Sequence, residues 1–363
     1  MASEPCVVLG VAASKRTRGL QAARAALGRV PARIVEWRDW LASPSLLDDA
    51  LAAGGRLKLE PPGDDVQAHA MLVARGAARL GRAACAPLQH GELCGTDVWF
   101  AGFEDALAQL EAQLAAHPRA DVVNAPSEIA LMTDKWHCQQ HLAARGLPTP
   151  ALLGRVAGFD EFDALLRRHG VDRVFLKSRY GSSAAGVVAY RRNARGDEQA
   201  TTSAHLVETL DVPRLFNDKR IRTYTRRAEI VRVIDLVAAQ DAYVEAWVGK
   251  PRCGAGHFDL RVLALAGAPA QRVARVGLRP MTNLHLDSRR ADPATLMSDT
   301  ELALMEHTTR QAAAAFPRSR VIGFDLVVRG ARAAVLEANA FGDLLPGLLW
   351  QGQNAWAAAE ATP

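Results

Sequence analysis

Asp325, Glu337 and Asn339 are the residues of this chain whose types and spacing could do chemistry together. They lie within residues 321–339, VIGFDLVVRGARAAVLEAN, where 321–328 and 333–338 read as strands joined by a turn containing Gly330. Glu337 and Asn339 are two positions apart, so a strand projects both from one face. A hairpin register centred near Ala331 sets Asp325 opposite Glu337. Facing carboxylates repel unless a cation or a proton lies between them. Two carboxylates and an amide oxygen suit magnesium, which takes the rest of its octahedron from water and phosphate. A solvated strand face carrying unrelated acids fits the hairpin equally well.

A second group supplies positive charge. Phe175, Leu176 and Lys177 end a strand that opens into residues 178–187, SRYGSSAAGV. Gly181, Ser182, Ser183 and Gly186 can form a flap whose N–H groups and hydroxyls surround phosphate oxygens, with Lys177 at its base giving a charge-assisted bond. The bland alternative is an ordinary Gly/Ser turn. The pattern is not a P-loop, which disfavours a Walker-type ATPase. Lys135 stands at a helix start after Thr133 or Asp134 as cap. A helix N-terminus already carries positive partial charge, so a lysine there makes sense if that end faces an anion.

These groups need a scaffold. A chain of 363 residues exceeds a single core, so two or three domains are expected. With 49% hydrophobic and 23% charged residues it reads as globular and not disordered. Its 44 Lys and Arg against 39 Asp and Glu leave +5, a mild excess that suits an anionic substrate or a solvated surface. The arginines are dispersed without a nucleic-acid-binding signature, so nucleic acid is disfavoured as a partner. Five cysteines with no CxxC pair, and no apolar run of spanning length or signal peptide, point to a reducing cytoplasm without membrane association. Residues 6–37 begin like a βαβ unit, but the turn GVAASKRTRG is not GxGxxG. Helices are expected over 19–27, 69–80, 105–117, 135–145, 159–169 and 300–316, and the polar stretch 191–202 is expected at the surface.

The ordered segments MTDKWHCQQHLAARGLPTP (132–150), FLKSRYGSSAAGV (175–187), YVEAWVGK (243–250), FDLRVLAL (258–265), GFDLVV (323–328) and VLEANAFGDLLPG (335–347) resemble the ATP-grasp superfamily from 124 to about 347, especially its carboxylate-amine ligases of the ribosomal-protein-modifying glutamate ligase and glutathione synthetase type. The resemblance implies an α/β and α+β fold in which two subdomains clamp ATP. A small α/β N-terminal domain (1–120) would precede a first subdomain with the flap (121–241) and a C-terminal subdomain with the metal site (242–363).

Carried over by position, Lys135 and Lys177 contact the nucleotide, Gly181, Ser182, Ser183 and Gly186 form the flap, and Asp325, Glu337 and Asn339 hold Mg2+. Backbone groups of Ala242, Tyr243 and Val244 would meet the adenine and Glu245 the ribose, although this hinge departs from the commoner Glu-Glu-Tyr-Ile form. Arg261 would stabilise an acyl phosphate or a substrate carboxylate. Arg275 and Asn283 would line the acceptor side; solvated basic residues are the alternative there.

The implied activity is ADP-forming ligation of a small carboxylic acid, amino acid or peptide to an amine acceptor, with ATP and Mg2+ required and a homodimer compatible with the resemblance. A kinase acting on a hydroxyl, or a non-catalytic nucleotide-binding partner protein, are the competing readings.

Overall fold

The computed structural model describes residues 5–362 apart from 64, 83–88, 90, 182–184, 208–212, 283, 285–287 and 343–344. Three principal sheets organise it. The first is parallel, in spatial order Arg33–Glu36, Cys6–Gly10, Arg56–Leu59 and Asp121–Val122. Its central strand, CVVLG, is buried at every position, as expected of a parallel strand covered on both faces. The helix Lys15–Ala26 follows, capped by Ser14, whose hydroxyl accepts from the Thr17 N–H. Helices Val66–Leu80 and Thr96–Ala115 cross where glycines face each other's backbone. A Cβ on Gly76 would sit 1.9 Å from the Val98 carbonyl oxygen, and one on Gly102 would sit 1.9 Å from that of Leu72. Only glycine permits that approach, and it fixes the helix that carries Trp99 and Phe103.

The second sheet is antiparallel, ordered Leu152–Val156, Ala242–Ala246, Arg173–Ser178, Val187–Arg192, Glu198–Val207 and Arg214–Tyr224. Helices Phe159–His169 and Arg227–Ala238 close a core of its own, built on residues such as Phe162, Leu166, Val174, Tyr190 and Ile234. The strand beginning at Ala242, expected to open the C-terminal subdomain, lies inside this sheet between two strands of the preceding segment. Residues 198–203, expected at the surface in part, form a strand in which Thr201, Thr202 and Ser203 are buried. The Thr202 hydroxyl donates to the Val187 carbonyl, which satisfies a polar side chain that composition alone assigns to solvent.

The third sheet, also antiparallel, runs Arg289–Ala291, Ala268–Gly277, Gly256–Leu265, Val321–Arg329 and Arg332–Asn339. The helix Asp299–Ala314 packs against it, opened by a full capping box between Ser298 and Glu301. The helix Lys135–Ala144 lies against the last strand, where the Gln139 amide donates to the Leu336 carbonyl at 2.6 Å. One continuous core joins the first sheet, residues 126–147 and the third sheet, whereas residues 156–244 form the separate core. Asn124 fastens the join: its amide donates to the carbonyls of Val321 (2.8 Å) and Ala340 (2.5 Å), and its oxygen accepts from the N–H groups of Arg320 and Val321.

Candidate active site

The hairpin has the register that brings the acids together. Asp325 pairs with Glu337, and Gly323 with Asn339, while a bulge after Asp325 shifts the remaining pairs to Leu326 with Val335. Without the bulge Asp325 would face Leu336. Arg261 lies across from Asp325 on the neighbouring strand, and Arg275 across from Asp259 on the next. Since residues opposite each other, or two apart, share a face, Arg275, Asp259, Arg261, Asp325, Glu337 and Asn339 all point from one side of the third sheet.

That side floors a cleft of about 730 Å³ lined by all three parts of the fold. The second sheet contributes Lys177, Glu245 and Phe175, the third sheet the charged face, and the N-terminal part Arg16, Trp99 and Phe103. Lys135 enters at the start of its helix. Asp134 caps that helix by accepting from the His137 N–H, and the same carboxylate takes a bidentate bond from Arg179 at 2.8 and 2.7 Å. Arg179 follows the strand that carries Lys177, and its Nη1 also reaches Asp241 at 2.8 Å. Its carbonyl accepts from the Lys135 N–H at 3.1 Å. One buried ion pair thus sets the two lysines across the cleft from each other.

The charged groups are paired throughout. Lys135 Nζ lies 2.7 Å from Glu337 Oε1, and Lys177 Nζ 2.5 Å from Glu245 Oε1. Arg261 forks onto both oxygens of Asp325, which Arg275 also meets at 3.0 Å. Arg275 reaches Asp259 at 2.7 Å, and Lys250 reaches it at 3.0 Å while donating to the Thr282 hydroxyl and the Pro280 carbonyl. Burial alone would raise Asp259, but Arg275 and Lys250 outweigh it and hold its carboxyl well below the usual range. Burial works likewise on Glu337 and is outweighed by Lys135, which draws it down to about 2. In Glu245 burial prevails over Lys177 and pushes the carboxyl up. Burial pushes Lys250 down.

Five cations thus face four carboxylates, a nearly neutral set. A polyphosphate entering it needs added positive charge. The Asn339 amide nitrogen donates to the Gly323 carbonyl at 3.2 Å, which leaves the amide oxygen as an acceptor beside the two carboxylates. Among the described residues no group of three or more His, Cys, Asp or Glu side chains is placed to hold a metal. Asp325, Glu337 and Asn339 provide two carboxylates and one amide, a donor set that fits a cation completing its shell with phosphate and water.

Around the flap, the Ser178 N–H donates to the Gly186 carbonyl at 2.8 Å. Gly186 has φ +70°, and a Cβ there would lie 2.7 Å from that of Ser178; one on Gly181 would lie 2.4 Å from the Ala185 carbonyl oxygen. Both glycines are required by the turn. Ser182 and Ser183, also expected in the flap, and Asn283, expected on the acceptor side, lie outside the described residues.

The hinge expectation needs correction. Ala242, Tyr243 and Val244 are paired to strands on both sides and buried, so their backbone is committed to the sheet and they do not line the cleft. Glu245, expected at the ribose, lines the cleft but is 2% exposed and bonded to Lys177. Sequence reasoning missed Arg179, Lys250 and Arg16. Lys250 stood inside a quoted segment, but no local pattern linked it to Asp259, and none linked Arg179 to Asp134, 45 residues earlier. Cys138 is buried and its thiol is pushed up to about 12, in keeping with a packed helical residue. No described helix is long and apolar enough to cross a membrane.

No protein-family model and no curated protein matches the chain. Solved structures do. The ATP-grasp ligase PsnB, complexed with a phosphomimetic variant of its minimal precursor, Mg and ADP, superposes with TM-score 0.53 at 16% identity over 99% of this chain and 97% of that one. Carboxyaminoimidazole ribonucleotide synthase from Aspergillus clavatus, complexed with ATP, gives 0.58 at 13% over 100% and 78%. D-alanine–D-alanine ligase from Bacillus anthracis gives 0.52 at 12% over 98% and 92%. At such identities the likeness is one of fold, and the fold of this chain is that of the ATP-grasp superfamily.

Proposed function

We propose that the chain is an ATP-dependent carboxylate-amine ligase, forming an amide or peptide bond through an acyl phosphate and releasing ADP and phosphate. The observation that carries the reading is the convergence of Lys135, Lys177, Arg261, Arg275, Asp325, Glu337 and Asn339, from one helix and five strands, on a single cleft of an ATP-grasp fold. That the structural relatives are named as ligases and a synthase, with ATP, ADP and Mg among their ligands, supports ligation in general.

Lys135 and Lys177 would neutralise and orient the nucleotide phosphates beneath the flap. Near a surface each such contact at about 4 Å is worth roughly 4 kcal/mol before desolvation. Asp325, Glu337 and Asn339 would hold magnesium, which when bound neutralises charge on the terminal phosphates. A substrate carboxylate oxygen attacks the γ-phosphorus, the bond from phosphorus to the bridging oxygen breaks, and ADP leaves with the electron pair. The amine nitrogen then attacks the acyl carbon, loses a proton to solvent, and inorganic phosphate departs. Arg261 and Arg275 face the cleft where negative charge develops in both steps and stabilise it electrostatically. No protein nucleophile is needed, which agrees with the protonated, buried Cys138.

Calorimetric titration with AMPPNP checks the nucleotide half of this reading. Binding should require Mg2+, and Lys177→Ala should weaken it about tenfold to a hundredfold, the loss expected for a charge-assisted contact. Unchanged affinity in the variant would remove Lys177 from the site.

A further inference from the structure

We propose that the N-terminal wall of the cleft is a subsite for the acid substrate and selects a carboxylate carried on a planar apolar body, such as an aromatic carboxylic acid. Arg16 faces the carboxylate, and Trp99, backed by the buried Phe103, faces the body. The proposal rests on the ligase reading above and names the substrate class for it.

The chemistry of the wall is one-sided. Its lining residues include Arg16, Pro62, Leu93, Trp99 and Phe103 and, among the described residues, no carboxylate. It therefore offers nothing to pair with an ammonium group and one cation to pair with an acid. Arg16 is held rigidly for that task. Its Nε lies 2.5 Å from the buried Glu60 carboxylate, which Lys58 also meets at 3.1 Å, and its Nη2 donates to the carbonyls of Phe341 and Gly342, the latter at 3.0 Å. Those carbonyls follow Asn339 by two and three residues, so the guanidinium is tied to the end of the strand that carries Glu337 and Asn339. Its Nη1 has no protein partner among the described residues. A carboxylate on that nitrogen would lie beside the phosphate end of the cleft.

The apolar part is equally fixed. Trp99 and Phe103 are one turn apart on a helix, stacked with centroids 4.9 Å apart and 18° between planes, with His69 stacked on Trp99 and Trp37 behind Phe103. The glycine crossing at Gly76 and Gly102 holds this helix, and Phe100 stacks on Tyr180 at 4.2 Å, joining it to the base of the flap. A preformed aromatic wall binds a flat apolar group without ordering loops or side chains first.

The test uses the full chain saturated with Mg2+ and AMPPNP and titrates 3-phenylpropionate, propionate and 3-phenylpropionamide by calorimetry. Phenylpropionate should bind at least about tenfold more tightly than either of the others. Trp99→Ala should abolish its advantage over propionate and keep its advantage over the amide; Arg16→Gln should do the reverse. A smaller preference in the wild type, or preferences that both variants leave intact, overturns the proposal, and so does AMPPNP binding with no acid bound up to about 10 mM. Should Arg16→Gln fail to fold because Glu60 loses a partner, Trp99→Ala and the amide comparison decide alone. Failure of the wild type to bind AMPPNP would instead overturn the ligase reading.

Discussion

The pair Lys135–Glu337 allows the charge balance of the site to be measured without any substrate. Glu337 is drawn from the usual 4.5 down to about 2, against the pull of burial, by a lysine at 2.7 Å. At about 1.4 kcal/mol for each tenfold in acidity this corresponds to a ceiling of about 3 kcal/mol. The Glu337 side chain is 30% exposed and Lys135 14%, so solvent screening brings the expected coupling to about 2 kcal/mol. A double-mutant cycle of Lys135→Met and Glu337→Gln measures it, by urea unfolding at pH 7 in the presence of EDTA. Tryptophan fluorescence is a suitable signal because Trp136 follows Lys135 on its helix and packs on Tyr243. A depressed carboxyl contributes stability that is complete above its unfolded value and fades as the pH falls toward its folded one. The coupling should therefore drop to about half at pH 3. A coupling below about 0.5 kcal/mol at pH 7, or one that does not change with acid, would refute the pairing as the cause of the low Glu337 value.

Other consequences can be checked separately. Arg179→Met leaves the buried Asp134 without its bidentate partner, and should cost about 3–5 kcal/mol in thermal unfolding as well as weaken AMPPNP binding. An unchanged melting temperature would rule out Arg179 as the link between the two lysine-bearing elements. Gly186→Ala places a Cβ 2.7 Å from that of Ser178 at φ +70°; it should cost about 1–2 kcal/mol and raise the Kd for AMPPNP, both read by calorimetry. Iodoacetamide at neutral pH should label the exposed Cys94 and leave Cys138 unmodified, as peptide mass mapping would reveal.

Much of the site was legible because it is encoded in short-range periodicity. A hairpin register centred near Ala331 set Asp325 opposite Glu337, and the observed register pairs them, but through a bulge after Asp325 that strand alternation and the turn at Gly330 do not encode. The helix over 159–169 was equally clear, since Phe159, Phe162, Leu165 and Leu166 recur at helical spacing and Gly170 ends it. Long-range partners were not legible. Nothing local tells that Arg179 meets Asp134 or that Arg16 meets Glu60 and the carbonyls after Asn339. Ala242, Tyr243 and Val244 were read as a hinge only because the resemblance puts one there, whereas their burial is decided by the two strands that flank them. Thr201 and Thr202 looked solvated because composition cannot show that neighbouring strands satisfy their hydroxyls.

The central claim is that a substrate carboxylate is activated by phosphorylation. For an acid and amine pair that supports Mg-dependent ADP release, the acid is supplied with both carboxyl oxygens as oxygen-18, and the released phosphate is analysed by mass spectrometry. Transfer through an acyl phosphate places one labelled oxygen in each phosphate and the other in the amide. Unlabelled phosphate accompanying amide formation, or a stable phosphoester in its place, would contradict the account.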